Sequence, residues 1–270
     1  MMQMNKLGEG RTAEVYELEP GKIVKLYRSG YPAESIRYEY EVNRTIAGCG
    51  VAAPKAYELV DVQERQGITF ERIEGTTLLR LMVQQPDALH RLTEKFAALH
   101  HRIHSCDVQG DHPAVLKQKE VIARHIRGVA HLPDNEKETI LKALERLPEG
   151  RCLCHGDYHP DNVMIGELDW TIDWMNGTIG NRAGDVARTL LLLRFGTLPD
   201  DAPDSVKERL QRIRGPMGDL YLEHYAACSG LPYSDIDGWM LPVTAARLAE
   251  GVPEQEKALL LDFIRERLQE

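Results

Sequence analysis

Short β-type segments make up most of the first seventy positions, and glycines and prolines separate them. One stretch differs, because apolar side chains recur at helical spacing over residues 33–47, and Gly48 and Gly50 follow it. The pattern predicts a small β-rich region that contains one helix. The predicted strands are 15–16, 22–27, 56–62 and 68–73.

After Gly75 the pattern changes to helical spacing, which only one β-type stretch, 152–174, interrupts. A β-rich front and a mostly helical back predict an α+β protein with two lobes, residues 1–74 and 75–270. A cleft between two lobes is where a ligand usually binds. The predicted helices are 89–104, 116–130, 135–147, 183–195, 205–228, 235–250 and 254–269.

The composition narrows the class of partner. The chain has 270 residues, 43% of them hydrophobic, which suffices for one core or for two lobes that share a cleft. Lys and Arg number 33 against 42 Asp and Glu, and the formal net charge is −9. A negative field repels phosphate backbones, so we expect no nucleic-acid partner. A nucleotide site in this protein would need locally positive groups.

The sequence also indicates a compartment. The N-terminal residues contain no apolar signal-peptide core, and the longest apolar run, 190–193, is too short to span a bilayer. The five cysteines are odd in number and lack a disulfide-like spacing, which fits a reducing environment. We therefore expect a cytoplasmic protein without a membrane partner.

The segment CHGDYHPDNVMIGELDWTIDW, residues 154–174, predicts a β-hairpin. Strands 162–166 and 169–173 would turn around Glu167 and Leu168, in an even loop that sets 165 opposite 170, 163 opposite 172 and 162 opposite 173. A two-residue Glu-Leu turn is unusual in hairpins, but a four-residue loop would keep the same pairing. The apolar face of the hairpin would consist of Val163, Ile165, Trp170 and Ile172.

The opposite face of this hairpin would carry polar groups. The predicted register sets Asn162 beside Asp173, with Cβ atoms roughly 4.5–5.5 Å apart. An amide oxygen and a carboxylate at this separation can hold Mg²⁺ ions on bound phosphates. Asp157 lies in the preceding loop, which Pro160 stiffens, and its carboxylate could accept the proton of an attacking hydroxyl or orient that hydroxyl.

These residues resemble a known family. The run H-G-D-x-x-x-x-N, with His155, Gly156, Asp157 and Asn162, and the later I-D-W with Asp173 resemble the aminoglycoside phosphotransferase and choline kinase group of protein-kinase-like enzymes. The resemblance covers nearly the whole chain and implies a two-lobed protein-kinase-like fold. It also implies ATP-dependent transfer of the γ-phosphate to a hydroxyl group, with Asp157 as catalytic base and with Asn162 and Asp173 as Mg²⁺ ligands.

The nucleotide would lie against the first lobe. Gly8, Gly10 and Thr12 belong to a segment that matches G-x-G-x-x-G-x-V except that Ala13 replaces the third glycine, and the resemblance places the phosphates there. A Gly-x-Gly pair alone is as often an ordinary turn. The resemblance further implies that the Glu71 carbonyl and the Ile73 N–H bind the adenine edge.

Lys25 interrupts an otherwise apolar strand, so it should face a ligand or have a carboxylate partner, unless it reaches the solvent at a strand edge. Two glutamates of the predicted helix could be this partner. Glu39 shares the apolar face with Val42, whereas Glu41 does not, and we therefore predict Glu39.

Other polar residues favour a structural interpretation. His100 and His104 have zinc-binding spacing, but no third ligand is apparent in the sequence. Asp185 resembles a family residue that caps a helix and braces the catalytic loop. Acidic residues in the last third of the chain either form a solvated face or bind a cationic acceptor. They are Asp200, Asp201, Asp204, Glu250, Glu254 and Glu256.

Three other functions compete with a small-molecule kinase. A protein kinase is disfavoured because no A-P-E segment follows Asp173. A nucleotide-binding regulatory module without transfer activity is disfavoured because the polar set is complete. A zinc hydrolase would require bound metal and activity without ATP. The acceptor stays open between an aminoglycoside, a macrolide, choline, a sugar and a metabolic alcohol.

Overall fold

The computed structural model describes residues 5–106, 108, 112, 114–197 and 204–269. Its first lobe is a five-stranded antiparallel sheet in the order β1-β2-β3-β5-β4, with one helix packed on it. Gly21, with φ of 79°, makes the turn between β2 and β3. The elements are β1 (Lys6–Glu9), β2 (Ala13–Glu19), β3 (Lys22–Tyr27), α1 (Ala33–Ile46), β4 (Ala56–Val62) and β5 (Arg65–Glu71).

Helix α1 has two buried contacts because its apolar face is wide. Ile36 packs with Tyr27, Ile68 and Phe70 in a small core against the sheet. Val42 and Ile46 belong instead to the large core of the second lobe. The helix therefore joins the two lobes.

The second lobe is mostly helical. Helix α6 lies at its centre, and ten of its residues are buried, which explains the apolar run that the sequence shows there. The helices are α2 (Leu78–Gln84), α3 (Leu89–His104), α4 (Gln118–Gly128), α5 (Asp134–Arg146), α6 (Arg182–Phe195), α7 (Asp204–Ser229), α8 (Tyr233–Arg247) and α9 (Glu254–Gln269). None that the structure describes is both long enough and apolar enough to cross a bilayer.

The predicted α+β architecture, with a small β-rich lobe before a larger helical lobe, is confirmed. The seven predicted helices of the second lobe are all present, whereas α2 was not predicted. It has only seven residues, and Thr77 begins it by accepting a hydrogen bond from the Arg80 N–H at 3.3 Å. The lobe boundary at residues 74–75 stays a prediction.

Short strands of the second lobe carry the polar segment. Two small sheets have the orders β6-β8-β9 and β10-β7. Single-turn 3₁₀ helices precede β8 and follow β9, at Pro160–Asn162 and Trp174–Asn176. The strands are β6 (Thr76–Thr77), β7 (Cys152–Cys154), β8 (Val163–Ile165), β9 (Asp169–Thr171) and β10 (Thr178–Gly180).

The predicted hairpin register was wrong by one residue. Val163 lies opposite Thr171, and Ile165 lies opposite Asp169, so a three-residue loop replaces the even loop. A Cβ on Gly166 would lie 2.4 Å from the Glu74 carbonyl oxygen, and this close approach of the interlobe segment shapes the loop. Thr171 is buried, although the predicted register set it on the face opposite the apolar one.

Asn162 and Asp173 are therefore not a directly opposed strand pair. Both lie beyond the ends of the strands, Asn162 as the last residue of the first 3₁₀ turn and Asp173 as the N-cap of the second. The segments that carry them are nevertheless in contact through the backbone, because the Ile172 N–H donates to the Asn162 carbonyl oxygen at 2.9 Å. The segments that carry the two residues are adjacent, but by a different contact from the predicted one.

Candidate active site

A cavity of about 500 Å³ lies where the two lobes meet. From the first lobe it is lined by the β1–β2 turn and by Lys25, and from the second by Asp157 and Asp173. Gly10 and Thr12, both in the β1–β2 turn, are the predicted glycine-loop residues that line it. Predicted site residues outside this lining are Gly8, Glu39, Glu71, Ile73 and Asn162.

An ion-pair cluster joins the lobes at the cavity floor. The Lys25 Nζ lies 2.7 Å from Glu39 Oε1 and 2.8 Å from Asp173 Oδ1. The Tyr27 hydroxyl donates to the second oxygen of Glu39. Burial alone would lower the pKa of Lys25, but Glu39 and Asp173 raise that pKa above its usual value. Lys25 is therefore a fixed cation, and its partner is Glu39 rather than Glu41.

Asp173 has a strained backbone. Its φ and ψ are both 63°, in the left-handed region that a residue with a Cβ rarely adopts. Such conformations persist only where surrounding contacts hold them, and they cluster at functional sites. Here the Lys25 ion pair holds the carboxylate, whose side chain is 37% exposed toward the cavity.

The loop before Asp157 is anchored from below. The Asp185 carboxylate accepts the backbone N–H groups of His155 at 2.6 Å and of Gly156 at 2.8 Å. Gly156 has φ of 75°, and a Cβ there would lie 2.3 Å from the Asn176 carbonyl oxygen, so only glycine fits. The Asn162 Nδ2 donates to the Asp157 carbonyl oxygen at 2.9 Å. These bonds fix the backbone on both sides of the Asp157 side chain.

Two basic groups flank the Asp157 carboxylate. The His159 Nε2 lies 3.6 Å from Oδ2, and an Arg188 Nη lies 3.6 Å from Oδ1. Burial by itself would raise the pKa of Asp157, but His159 and Arg188 outweigh it and hold that pKa well below its usual range. The side chain is 25% exposed, so this ionised carboxylate is accessible from the cavity.

Arg188 was missed by the sequence analysis. It is 8% exposed on the buried helix α6, where it also donates through Nε to the Gly156 carbonyl oxygen at 3.1 Å. One signal could have revealed it: an arginine three residues after Asp185, in the middle of a mostly apolar helix, shares a face with that aspartate.

The histidines of helix α3 do have a third polar neighbour, contrary to the sequence analysis. Their Nε2 atoms both lie 3.1 Å from Asp185 Oδ2, and the three side chains could together hold a metal ion. However, hydrogen bonds already occupy these groups, because the Nδ1 atoms of His100 and His104 each bond a tyrosine hydroxyl at 2.7 Å. The cluster therefore braces the loop that carries Asp157, while the cap of α6 is Asn181 rather than Asp185.

This buried cluster predicts a pH-dependent stability. Burial lowers the pKa of His100 from 6.5 to about 3, so the unfolded chain binds a proton that the folded protein excludes. The resulting stability is complete above pH 6.5 and is lost as the pH falls toward 3. Between pH 7 and pH 5 we expect His100 to account for about 2 kcal/mol of lost unfolding free energy, at about 1.4 kcal/mol per pKa unit.

Urea unfolding at the two pH values measures this loss. In the His100→Gln variant the difference between pH 7 and pH 5 should shrink by about that amount. The control is His131→Gln, at an exposed histidine, which should leave the difference unchanged. An unaltered pH dependence in the His100→Gln variant would show that this histidine is not held neutral.

The acidic residues of the last third do not form one solvated face. Glu250 lies in the cavity and pairs with Arg188 at 2.7 Å, and Glu256 is 1% exposed. Glu254 is exposed and pairs with Lys257. Asp200, Asp201 and the side chain of Asp204 lie outside the described residues.

The donor set fits a hard cation. Because the Asn162 amide nitrogen is committed to the Asp157 carbonyl, its oxygen is the atom left for a ligand. The Asp173 carboxylate uses Oδ1 for Lys25. Oxygen donors of this kind suit Mg²⁺ rather than zinc. Together with a lysine and an ionised carboxylate, the site can bind phosphates and activate a hydroxyl group.

Solved structures show the same fold at low sequence identity. Aminoglycoside phosphotransferase APH(4)-Ia, in an apo thermostable mutant, matches with a TM-score of 0.61 and 15% identity over 97% of this chain and 90% of that one. ADP-bound APH(2'')-Ib matches with a TM-score of 0.59 and 17% identity, over 99% of this chain and 92% of that one. The streptomycin–ATP complex of APH(2'')-IIa matches with a TM-score of 0.55 and 14% identity, over 98% of this chain and 91% of that one. No curated protein sequence matches the chain.

This two-lobed, protein-kinase-like molecule is a phosphotransferase of the class that uses an alcohol group as acceptor. The chain belongs to the phosphotransferase enzyme family, whose model matches residues 3–231.

Proposed function

We propose that this protein transfers the γ-phosphate of ATP to a hydroxyl group of a small molecule. The observation that carries the proposal is the convergence, in one cavity, of the Lys25–Asp173 ion pair and the ionised Asp157 carboxylate. Phosphoryl transfer needs positive groups on the phosphates and an acceptor oxygen aligned with them, and little else from the protein.

The first lobe would hold the nucleotide. Gly10 and Thr12 would cover its phosphates, with Gly8 in the adjoining strand, and Lys25 would neutralise their charge after Glu39 has oriented it. The backbone of Glu71 and Ile73 would bind the adenine edge. ATP is the proposed donor because APH(2'')-IIa and APH(2'')-Ib bind ATP and ADP, although a GDP complex is known for another similar structure.

The second lobe would align the acceptor. The Asp157 carboxylate accepts the proton of the acceptor hydroxyl as its oxygen bonds to the γ-phosphorus, and the bond to the ADP oxygen breaks. Asn162 and Asp173 would hold Mg²⁺, which supplies further neutralisation of the phosphate charge. The pKa of Asp157 keeps this base ionised at neutral pH.

The acceptor is a hydroxylated small molecule. Solved structures with the same fold bind streptomycin, kanamycin and hygromycin B, all named with aminoglycoside phosphotransferases. A cationic acceptor, which the acid-rich end of the sequence suggested, stays a prediction.

None of the five cysteines, all within the described residues, forms a disulfide, and this supports a cytoplasmic location.

ADP release from ATP tests the proposal across a panel of amines, sugars, polyols, hydroxy acids and antibiotics. We expect acceptor-dependent ADP release that EDTA abolishes and Mg²⁺ restores. In the Asp173→Asn variant the Mg²⁺ concentration for half-maximal rate should rise about 10–100-fold, because a carboxylate ligand is lost. Nucleotide binding without transfer to any acceptor would instead favour a regulatory module.

A further inference from the structure

The cavity continues past Asp157 into the second lobe. This inner pocket is formed by the ends of α6 and α8 and by the middle of α7. Because the same cavity is lined by Asp157, an acceptor whose hydroxyl meets Asp157 can extend into this inner pocket. The lining residues that bear on its charge and shape are Leu193, Thr197, Arg214, Met217, Arg247 and Glu250.

Charges alternate along one wall of the inner pocket. Arg188 lies 3.6 Å from Asp157 and 2.7 Å from Glu250. Glu250 also pairs with Arg247 at 2.6 Å, and Arg247 pairs with Glu256 at 2.7 Å. Each arginine of this series forms an ion pair with a glutamate, and each glutamate forms one with an arginine. No charge of the series beyond Asp157 is left for an acceptor.

Arg214 follows this series and has no ion-pair partner among the residues that the structure describes. Glu256 is its nearest source of negative potential, yet that carboxylate already accepts from Arg247 and from the N–H and hydroxyl of Thr197, at 2.9 and 3.1 Å. Within the described residues, no carboxylate lies at ion-pair distance from the Arg214 guanidinium. The side chain is only partly exposed, and burial lowers its pKa while Glu256 opposes this.

An arginine remains charged in such a place, so desolvation is a cost that no described contact offsets. A planar guanidinium with free donors is the preferred protein group for carboxylates and phosphates. We propose that the acceptor carries an anionic group, a carboxylate or a phosphate, that Arg214 binds while the acceptor hydroxyl meets Asp157. This inference rests on the proposed function.

An amine at the same position would be disfavoured. It would approach the Arg214 guanidinium, which no described carboxylate neutralises, and the described glutamates of the pocket already accept from arginines. Of the described acids at this end of the sequence, Glu250 and Glu256 therefore serve as partners for arginines. A preference for amine-bearing acceptors is the competing outcome.

Matched acceptors test the inference. One series is glycerol, glycerate and 3-amino-1,2-propanediol, and the other is glucose, gluconate, glucose 6-phosphate and glucosamine. We expect kcat/KM for an anionic member to exceed that of its neutral and amine counterparts about tenfold or more. The gluconate and glucose 6-phosphate arms separate carboxylate from phosphate. Higher kcat/KM for the amines would overturn the inference and leave the proposed function intact.

Variants of Arg214 assign the preference to this residue. Arg214→Ala should raise KM for the anionic acceptor about tenfold or more, change kcat little and affect KM for neutral acceptors much less, and Arg214→Lys should recover part of the loss. The control is Arg146→Ala, at an exposed arginine at the end of α5. An equal fall of kcat for every acceptor would mean that Arg214 acts on the transferred phosphoryl group, which contradicts the inference.

Chemical modification of arginines tests the anion site even if the protein transfers phosphate to none of these acceptors. Phenylglyoxal modifies accessible arginines, and peptide mapping by mass spectrometry follows Arg214 while Mg²⁺-ADP fills the nucleotide side. Glycerate, gluconate or glucose 6-phosphate should slow this modification several-fold, and the amine counterparts should not. Protection without transfer would refute the proposed function but keep an anion site, whereas lack of protection would refute the anion site.

Discussion

We expect Asp157→Asn to lower kcat about a thousandfold, equivalent to about 4 kcal/mol of transition-state stabilisation. The amide keeps the size of the side chain but cannot accept the acceptor proton. The loop is positioned by the N–H groups that donate to Asp185 and by the Asn162 amide that donates to the Asp157 carbonyl oxygen, and none of these bonds involves the replaced group. Nucleotide affinity should therefore stay within about threefold of wild type.

Two measurements separate this result from misfolding. Steady-state ADP release gives kcat, and equilibrium titration with ADP and Mg²⁺ gives the dissociation constant. Asp161→Asn is the matched control, because Asp161 is an exposed acid in the same loop. If the Asp157→Asn variant turned over at the wild-type rate, neither proton acceptance nor orientation of the hydroxyl could be assigned to this carboxylate.

The second large effect is expected at Lys25. Lys25→Met removes the cation from Glu39, whose side chain is 2% exposed, and leaves a buried carboxylate with only the Tyr27 hydroxyl. Breaking a buried pair on one side costs about 3–5 kcal/mol of unfolding free energy. The loss of a preorganised positive group on the phosphates should also lower kcat/KM about 100–1000-fold.

A double variant distinguishes structure from function at this pair. Lys25→Met with Glu39→Gln removes both charges, so urea unfolding should show most of the stability restored while kcat/KM stays low. Lys95→Met is the control, because its ion pair with Asp169 is partly exposed and worth about 1 kcal/mol or less. Recovery of both stability and kcat/KM in the double variant would reduce Lys25 to a structural role.

Patterns along the chain were sufficient for most helices. The helix bounds 89–104 and 254–269 agree with the structure because long amphipathic segments show their buried face in their spacing. Helix α2 escaped because seven residues make only two turns, too few to show a period. The choice of Glu39 over Glu41 followed from the same periodicity, since only Glu39 shares the buried face of α1.

The hairpin shows what the alternation of apolar and polar residues could not predict, namely the register of its two strands. Alternation tells which residues share a face, but the register depends on the loop, and the loop depends on a contact with the distant segment around Glu74. The predicted direct pairing of Asn162 with Asp173 was therefore wrong. The nearness of their segments was right, because the two strands still pair and the chain has little freedom beyond their ends.

By itself, then, the sequence determined the two-lobed α+β fold and the identity of the residues that could take part in binding or catalysis. The fold could be predicted from the local spacing of apolar residues, and the functional residues could be predicted because they are rare polar groups in apolar surroundings. Only the tertiary structure decided which charges neutralise one another. Arg188, Arg247, Glu250 and Glu256 come together from α6, α8, the 3₁₀ turn that follows α8, and α9, and they leave Arg214 unmatched among the described residues. Electrostatic energy depends on distance and burial in space, and the order of residues along a chain specifies neither.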